Sequence, residues 1–95
     1  MDFLIIATRK EGTSENEISY YKYYTNMNNS PVVSTKQALW ELVRANYKSH
    51  NYYSNNQRLG TRVNCEWRQI GNGDPFLQSD PNGTQKDNLL ELPDC

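Results

Sequence analysis

Histidine and cysteine are almost absent from this chain, with one of the first and two of the second in 95 residues. A Ser/His/Asp or Cys/His catalytic arrangement would have to recruit His50 out of an amide-rich stretch. One histidine and two distant cysteines, Cys65 and Cys95, do not make a four-ligand zinc site either. Glycine is sparse, and no glycine-rich loop runs into a helix, which removes the usual phosphate-binding enzymes. Excess charge is missing: ten basic residues against eleven acidic ones leave a net charge of -1, too little to hold a duplex or an anionic membrane by its overall field. The opening apolar run, Phe3 to Ala7, is too short for a signal-peptide core or a membrane span. These absences predict a cytoplasmic protein with two free thiols, no membrane association, no cofactor, no metal and no catalytic residue.

What the chain does have is aromatic bulk: seven tyrosines, two tryptophans and two phenylalanines. That apolar area argues against disorder and for one soluble domain over residues 1–95, with a single modest core. One stretch, residues 34–47, has convincing helical periodicity. Ser34 and Gln37 have capping-box spacing, and Val33 is placed to staple onto Ala38. At about 100° per residue, Leu39, Leu42, Val43 and Asn46 share one face. Trp40 and Tyr47 lie on its shoulder, and Gln37, Glu41, Arg44 and Lys48 are wet. On this reading Leu42→Ala costs about 2–5 kcal/mol.

The remainder reads as strands and turns. Phe3 to Lys10 is apolar on both alternations, the signature of a central strand. Turn-forming residues 11–16 lead into Ile18 to Thr25, and the two segments form a hairpin. Its four tyrosines straddle both faces, one pair toward the helix and the other over the open face or serving as a stacking platform. Residues 26–31 and 48–60 read as loops, the second long, amide-rich and aromatic. Thr61 to Ile70 alternates cleanly, with Val63, Cys65 and Trp67 inward, and Phe76 to Ser79 returns as a hairpin arm. Leu89, Leu90 and Leu92 dock the C-terminus. The expected fold is α+β, a small antiparallel sheet of about four strands with one helix packed on it.

The segment Asp80-Pro81-Asn82-Gly83-Thr84, followed by Asp87-Asn88-Leu89 and by Leu92-Pro93, is distinctive. Together with Ile5-Ile6-Ala7-Thr8-Arg9-Lys10 it resembles a family of small bacterial domains of unknown function. The resemblance implies a compact strand, hairpin and helix domain in which Asp87 and Asn88 fix the terminal segment. It carries over no catalytic residue. Asp80, Asn82, Thr84 and Glu91 have the spacing of calcium ligands, but Pro81, Gln85 and Lys86 stand where such a loop needs freedom, glycine and no positive charge.

By exclusion, the expected function is a non-enzymatic binding module of bacterial or phage type, a monomer or small homo-oligomer whose partner is another protein. The candidate partner-binding residues are Tyr47, Tyr52, Tyr53 and Arg58, together with the exposed edge of the tyrosine strand, because tyrosine and arginine concentrate binding energy at interfaces. The alternative is a nucleic-acid-binding regulator using an aromatic and basic surface that also includes Arg62 and Arg68. A small metal-binding protein or hydrolase comes third.

Overall fold

A strand that is apolar on both alternations belongs inside a sheet, and the opening segment is paired on both edges. A computed structural model describes residues 1–27, 29–80 and 88–95. Its elements are β1 (Asp2–Lys10), β2 (Ile18–Thr25), β3 (Val32–Thr35), α1 (Lys36–Val43), β4 (Asn51–Asn56), β5 (Thr61–Arg68) and β6 (Phe76–Ser79). Short 3-10 turns lie at Glu15–Glu17, Tyr47–Ser49 and Leu89–Glu91. The strands form one sheet in the order β3-β2-β1-β4-β5-β6. The α+β class therefore holds, but the sheet has six strands rather than about four, and it is mixed because β1 pairs with β4 in parallel.

The two extra strands come from segments that read otherwise, one as the approach to and start of the helix and the other as a loop. Residues Val32–Thr35 pair with Tyr20–Tyr23 of β2, so the presumed start of the helix is a strand of largely β-branched residues. Asn51–Asn56 has poor intrinsic strand propensity, yet its backbone is hydrogen-bonded between β1 and β5, and tertiary pairing overrides propensity here. Tyr52, Ser54 and Asn56 alternate inward. The strand ends in a turn held by Asn56, whose Oδ1 accepts from Leu59 N at 3.0 Å and whose carbonyl accepts from Gly60 N at 2.8 Å. Gly60 sits at φ +69°, which a glycine adopts without strain.

The helix is shorter than its periodicity suggests and is rotated about its axis. Its N-cap is Thr35, whose Oγ1 accepts from Ala38 N at 3.0 Å, while Ser34 is spent in β3, so the Ser34/Gln37 box does not form. Val33 is exposed rather than stapled. Leu39 and Val43 are buried, but Leu42 is 66% exposed. Eight residues give only two turns, so one i, i+4 pair meets the sheet, and Trp40 completes the contact. Its ring lies 5.0 Å from Trp67 and 5.2 Å from Tyr47. Leu42 falls on the far side of that wedge, and Asn46 lies beyond the helix.

Residues paired across strands point to the same side of a sheet, so the register divides the domain into two faces. A bulge at Ile6 lets Phe3, Ile5 and Thr8 share the inner face while Leu4, Ala7 and Arg9 share the outer one. The core lies on the inner face, where Phe3, Ile5, Tyr21, Tyr52, Cys65 and Leu77 meet Leu39 and Val43 of the helix. The sheet rolls around this core. Tyr21, on β2, accepts at its hydroxyl from Leu77 N of β6 at 3.1 Å, although three strands separate β2 from β6. Glu15 accepts from both the backbone N–H and the hydroxyl of Ser79, and Ser79 Oγ in turn accepts from Leu89 N at 2.9 Å.

Because β4 pairs only with the Asp2–Ile5 half of β1, the rest of that edge is free for the C-terminus. Thr8 N donates to Pro93 O at 2.9 Å, Cys95 N donates to Thr8 O at 3.2 Å, and Lys10 Nζ donates to Leu92 O at 2.8 Å. Leu89 and Leu92 are buried as expected. Asn88 caps their 3-10 turn, its Oδ1 accepting from Leu90 N and Glu91 N. The calcium-like loop, the Asp80–Gly83 turn and Asp87 lie wholly or in part outside the described residues. Among the described residues no helix is long and apolar enough to cross a membrane.

Cys65 and Cys95 are unpaired, the first buried and the second exposed. Burial pushes the Cys65 thiol up to about 12 and raises the Tyr21 phenol above its usual range. Both groups are thus neutral when folded, whereas in the unfolded chain they lose protons from about pH 8.5 and 10 respectively. The unfolded state then binds fewer protons, so their contribution is complete at neutral pH and is lost as pH climbs above about 9. The urea midpoint should stay level from about pH 6 to 8 and fall above 9, less steeply in Cys65→Ala. A midpoint that rises across the alkaline range would contradict this burial. Cys95 should react at once with a thiol reagent and Cys65 only on unfolding.

Candidate functional site

Register alone assembles a surface on the outer face of the sheet. Leu4 lies between Tyr24 of β2 and Tyr53 of β4, and Tyr53 in turn faces Asn64 of β5. One row further along, Lys22 is flanked by Ala7 and Val33; beyond it, Tyr20 is flanked by Arg9 and Thr35. Side chains two apart on a strand share a face, so β2 presents ring, cation, ring as Tyr20, Lys22 and Tyr24. The helix and the buried leucines of the C-terminus pack on the inner face. Tyr20, Lys22, Tyr24 and Tyr53 are left half-exposed, and Arg9, Arg62 and Arg68 exposed.

The cations Arg9, Lys22, Arg62 and Arg68 share this face with the acids Asp2, Glu66 and Asp80. The Arg9 guanidinium lies 5.7 Å from the Tyr20 ring centroid and that of Arg62 lies 5.9 Å from Tyr53, close enough for cation–π attraction. Arg9 pairs with Glu11 and Arg68 with Glu66, each at 3.5 Å. Among the described residues no ion pair is made by Lys22 or Arg62.

At one end the face runs into a cleft of about 600 Å³, formed where the Tyr47–Ser49 turn meets the start of β4 and the end of β5. Its walls include Tyr47, His50, Tyr52, Tyr53, Asn64 and Trp67. Behind it rings touch in sequence: Tyr23 to Phe3 at 5.6 Å, Phe3 to Tyr52 at 5.3 Å and Tyr52 to Trp67 at 5.8 Å. The Tyr52 hydroxyl donates to Tyr47 O at 3.1 Å. Burial raises the Tyr52 pKa, opposed by the nearby Trp67 indole N–H, which approaches that hydroxyl without reaching hydrogen-bond geometry. Trp67 Nε1 and His50 Nδ1 are both buried without a hydrogen-bond partner. His50 lies edge-on to Phe3 at 5.5 Å, so its immediate ring neighbour is apolar rather than a nucleophile.

Three of the four candidate residues thus line one cleft, in different environments. Tyr52 is only 5% exposed and belongs to the core, Tyr47 is half-buried, and Tyr53 opens onto the outer face. Arg58 is exposed in the β4–β5 turn, at the opposite end of β4. Sequence reasoning put the exposed edge of the tyrosine strand beside Tyr53 but did not single out Tyr20 and Tyr24 within it, nor Arg9 and Lys22. The alternation of β2 carried the signal, but it needed β4 as a strand beside β1 to give it meaning. Among the described residues no three His, Cys, Asp or Glu side chains gather as a metal site.

A family model described as a protein of unknown function (DUF3892) matches residues 4–93. The chain belongs to this family. The resemblance read from the two ends is thereby established over nearly the whole length, and the matched span of the DUF3892 domain runs from the row-forming Leu4 to Pro93, whose carbonyl accepts from Thr8. No curated protein and no solved structure matches it.

Proposed function

We propose that this DUF3892 domain is a non-enzymatic binding module whose partner docks on the outer face of the sheet. The supporting observation is the row Tyr24–Leu4–Tyr53, on a face with Lys22 and Arg62, which make no ion pair among the described residues: half-exposed rings on rigid strands lose little entropy when a partner covers them. The buried, neutral Cys65 thiol and the ring contacts of His50 fit binding better than nucleophilic catalysis. Two unpaired cysteines fit a reducing cytoplasm.

The test is site-selective photo-crosslinking in host extract. A photoreactive side chain in place of Lys22 should give adducts, whereas the same group in place of Leu42, on the outer side of α1, should not. Adducts from position 42 and none from position 22 would move the interface to the helix and overturn the reading.

A further inference from the structure

We infer that the partner of the outer face is a single-stranded nucleic acid, its bases stacking on Tyr20, Tyr24 and Tyr53 and its phosphates meeting Lys22 and Arg62. The inference rests on the outer face being the binding surface and adds the chemistry of what is bound.

Three features of the face favour this ligand over a protein. Among the described residues its apolar side chains are Leu4, Ala7, Val33 and, opposite Arg68, Phe76; Ala7 and Phe76 are buried, so only Leu4 and Val33 stay open, too little for the desolvated centre that anchors a protein interface. Rings and cations alternate instead: along β2 they repeat every two residues, about 6.8 Å, and across the sheet Tyr24 and Tyr53 stand two strands apart, about 10 Å. A base can stack on each ring whatever its identity, while the intervening cations meet the backbone. Finally, two cations are left without an acid. The chain is net negative and the face carries acids as well as cations, but Glu11 and Glu66 are each engaged by an arginine, the Asp2 carboxylate accepts from Asn51 Nδ2 at 2.9 Å, and Asp80 stands at the β6 end beside Gln78, while Lys22 and Arg62 make no ion pair among the described residues. A weak overall field and two such cations suit a few phosphates rather than the long charge row of a duplex. Asn55, Asn64 and Gln78 share the face through the register and offer amides to base edges.

The experiment is fluorescence anisotropy with fluorescein-labelled 12-nucleotide oligouridylate, the matching oligothymidylate and a 12-base-pair duplex, at low and physiological salt. Both single strands should bind and the duplex more weakly. Neutralisation of two to four phosphates should give a log–log salt slope of about -1.4 to -2.8, and Lys22→Gln should reduce its magnitude by about 0.7. The double variant Tyr24→Leu, Tyr53→Leu keeps apolar cover over Leu4 and should bind about tenfold or more weakly. Arg44→Gln, on α1, should bind like the parent. If the leucine pair fails to fold, Lys22→Gln with Arg62→Gln tests the same face without touching the rings, and undiminished binding there overturns the inference. So does absence of any anisotropy change at low salt with about 100 µM protein, well into the range of non-specific nucleic-acid affinities, or equal or tighter binding of the duplex. Protein adducts from position 22 with no oligonucleotide binding would sink the inference and leave the docking surface standing; no adducts and no binding would remove both.

Discussion

Leu39→Ala is expected to destabilise the domain by about 2–5 kcal/mol, while Leu42→Ala, three residues on, stays within about 0.5 kcal/mol of the parent. Leu39 has no exposed surface and packs in the cluster with Ile5, Tyr21 and Tyr23, so its removal leaves a cavity that a rolled sheet cannot close. Leu42 is already in water. Urea midpoints of the two variants give the comparison, and equal losses would mean the helix is turned by about one residue, 100°, from the orientation described.

Tyr52 and Tyr53 should part company just as sharply. Tyr52→Ala removes a ring stacked on Phe3 and edge-on to Trp67, together with the hydroxyl that donates to Tyr47 O, and an aromatic-to-alanine change in a core costs about 3–5 kcal/mol. Tyr53→Ala strips a half-exposed ring from the outer face and should cost about 1 kcal/mol or less, within the range of surface substitutions. Thermal unfolding monitored by near-ultraviolet circular dichroism would separate them, since the Tyr52 variant should also lose much of the aromatic signal. A Tyr53 variant as unstable as the Tyr52 one would show that the outer face is covered after all. Any binding assay with Tyr52→Ala reports on folding first, so Tyr53→Ala is the informative reagent.

How much of this was legible in the sequence depended on whether a segment carried its own periodicity. β1, β2, β5 and β6 did, because each either alternates or is doubly apolar, and the docking of Leu89 and Leu92 followed from their clustering. β3 and β4 did not. Val32–Thr35 is four residues long and runs straight into a helix, so a cap motif and a short edge strand compete for the same letters. Asn51–Asn56 sets its two tyrosines among three amides and a serine, and its place inside the sheet comes from β1 partners 49 residues earlier in the chain, information no local window contains. Without β4 as a strand, Tyr52 and Tyr53 had no assigned parity, so two residues with opposite orientations read as one exposed patch. The helix face failed for a related reason: periodicity gives an apolar arc, but only the position of Trp67 decides which edge of the arc is used.

The C-terminal pairing with Thr8 bears on how the protein folds. β1 precedes the other strands of this sheet in the chain and sits near its centre, yet one half of its free edge waits for residues 51–54 and the other for residues 93–95. Closing such distant pairs is slow and leaves strand edges unpaired in the interval. A β1–β2 hairpin formed early therefore has its apolar central edge open, and the sheet is complete only once residues 51–54 and 93–95 are free to pair with it.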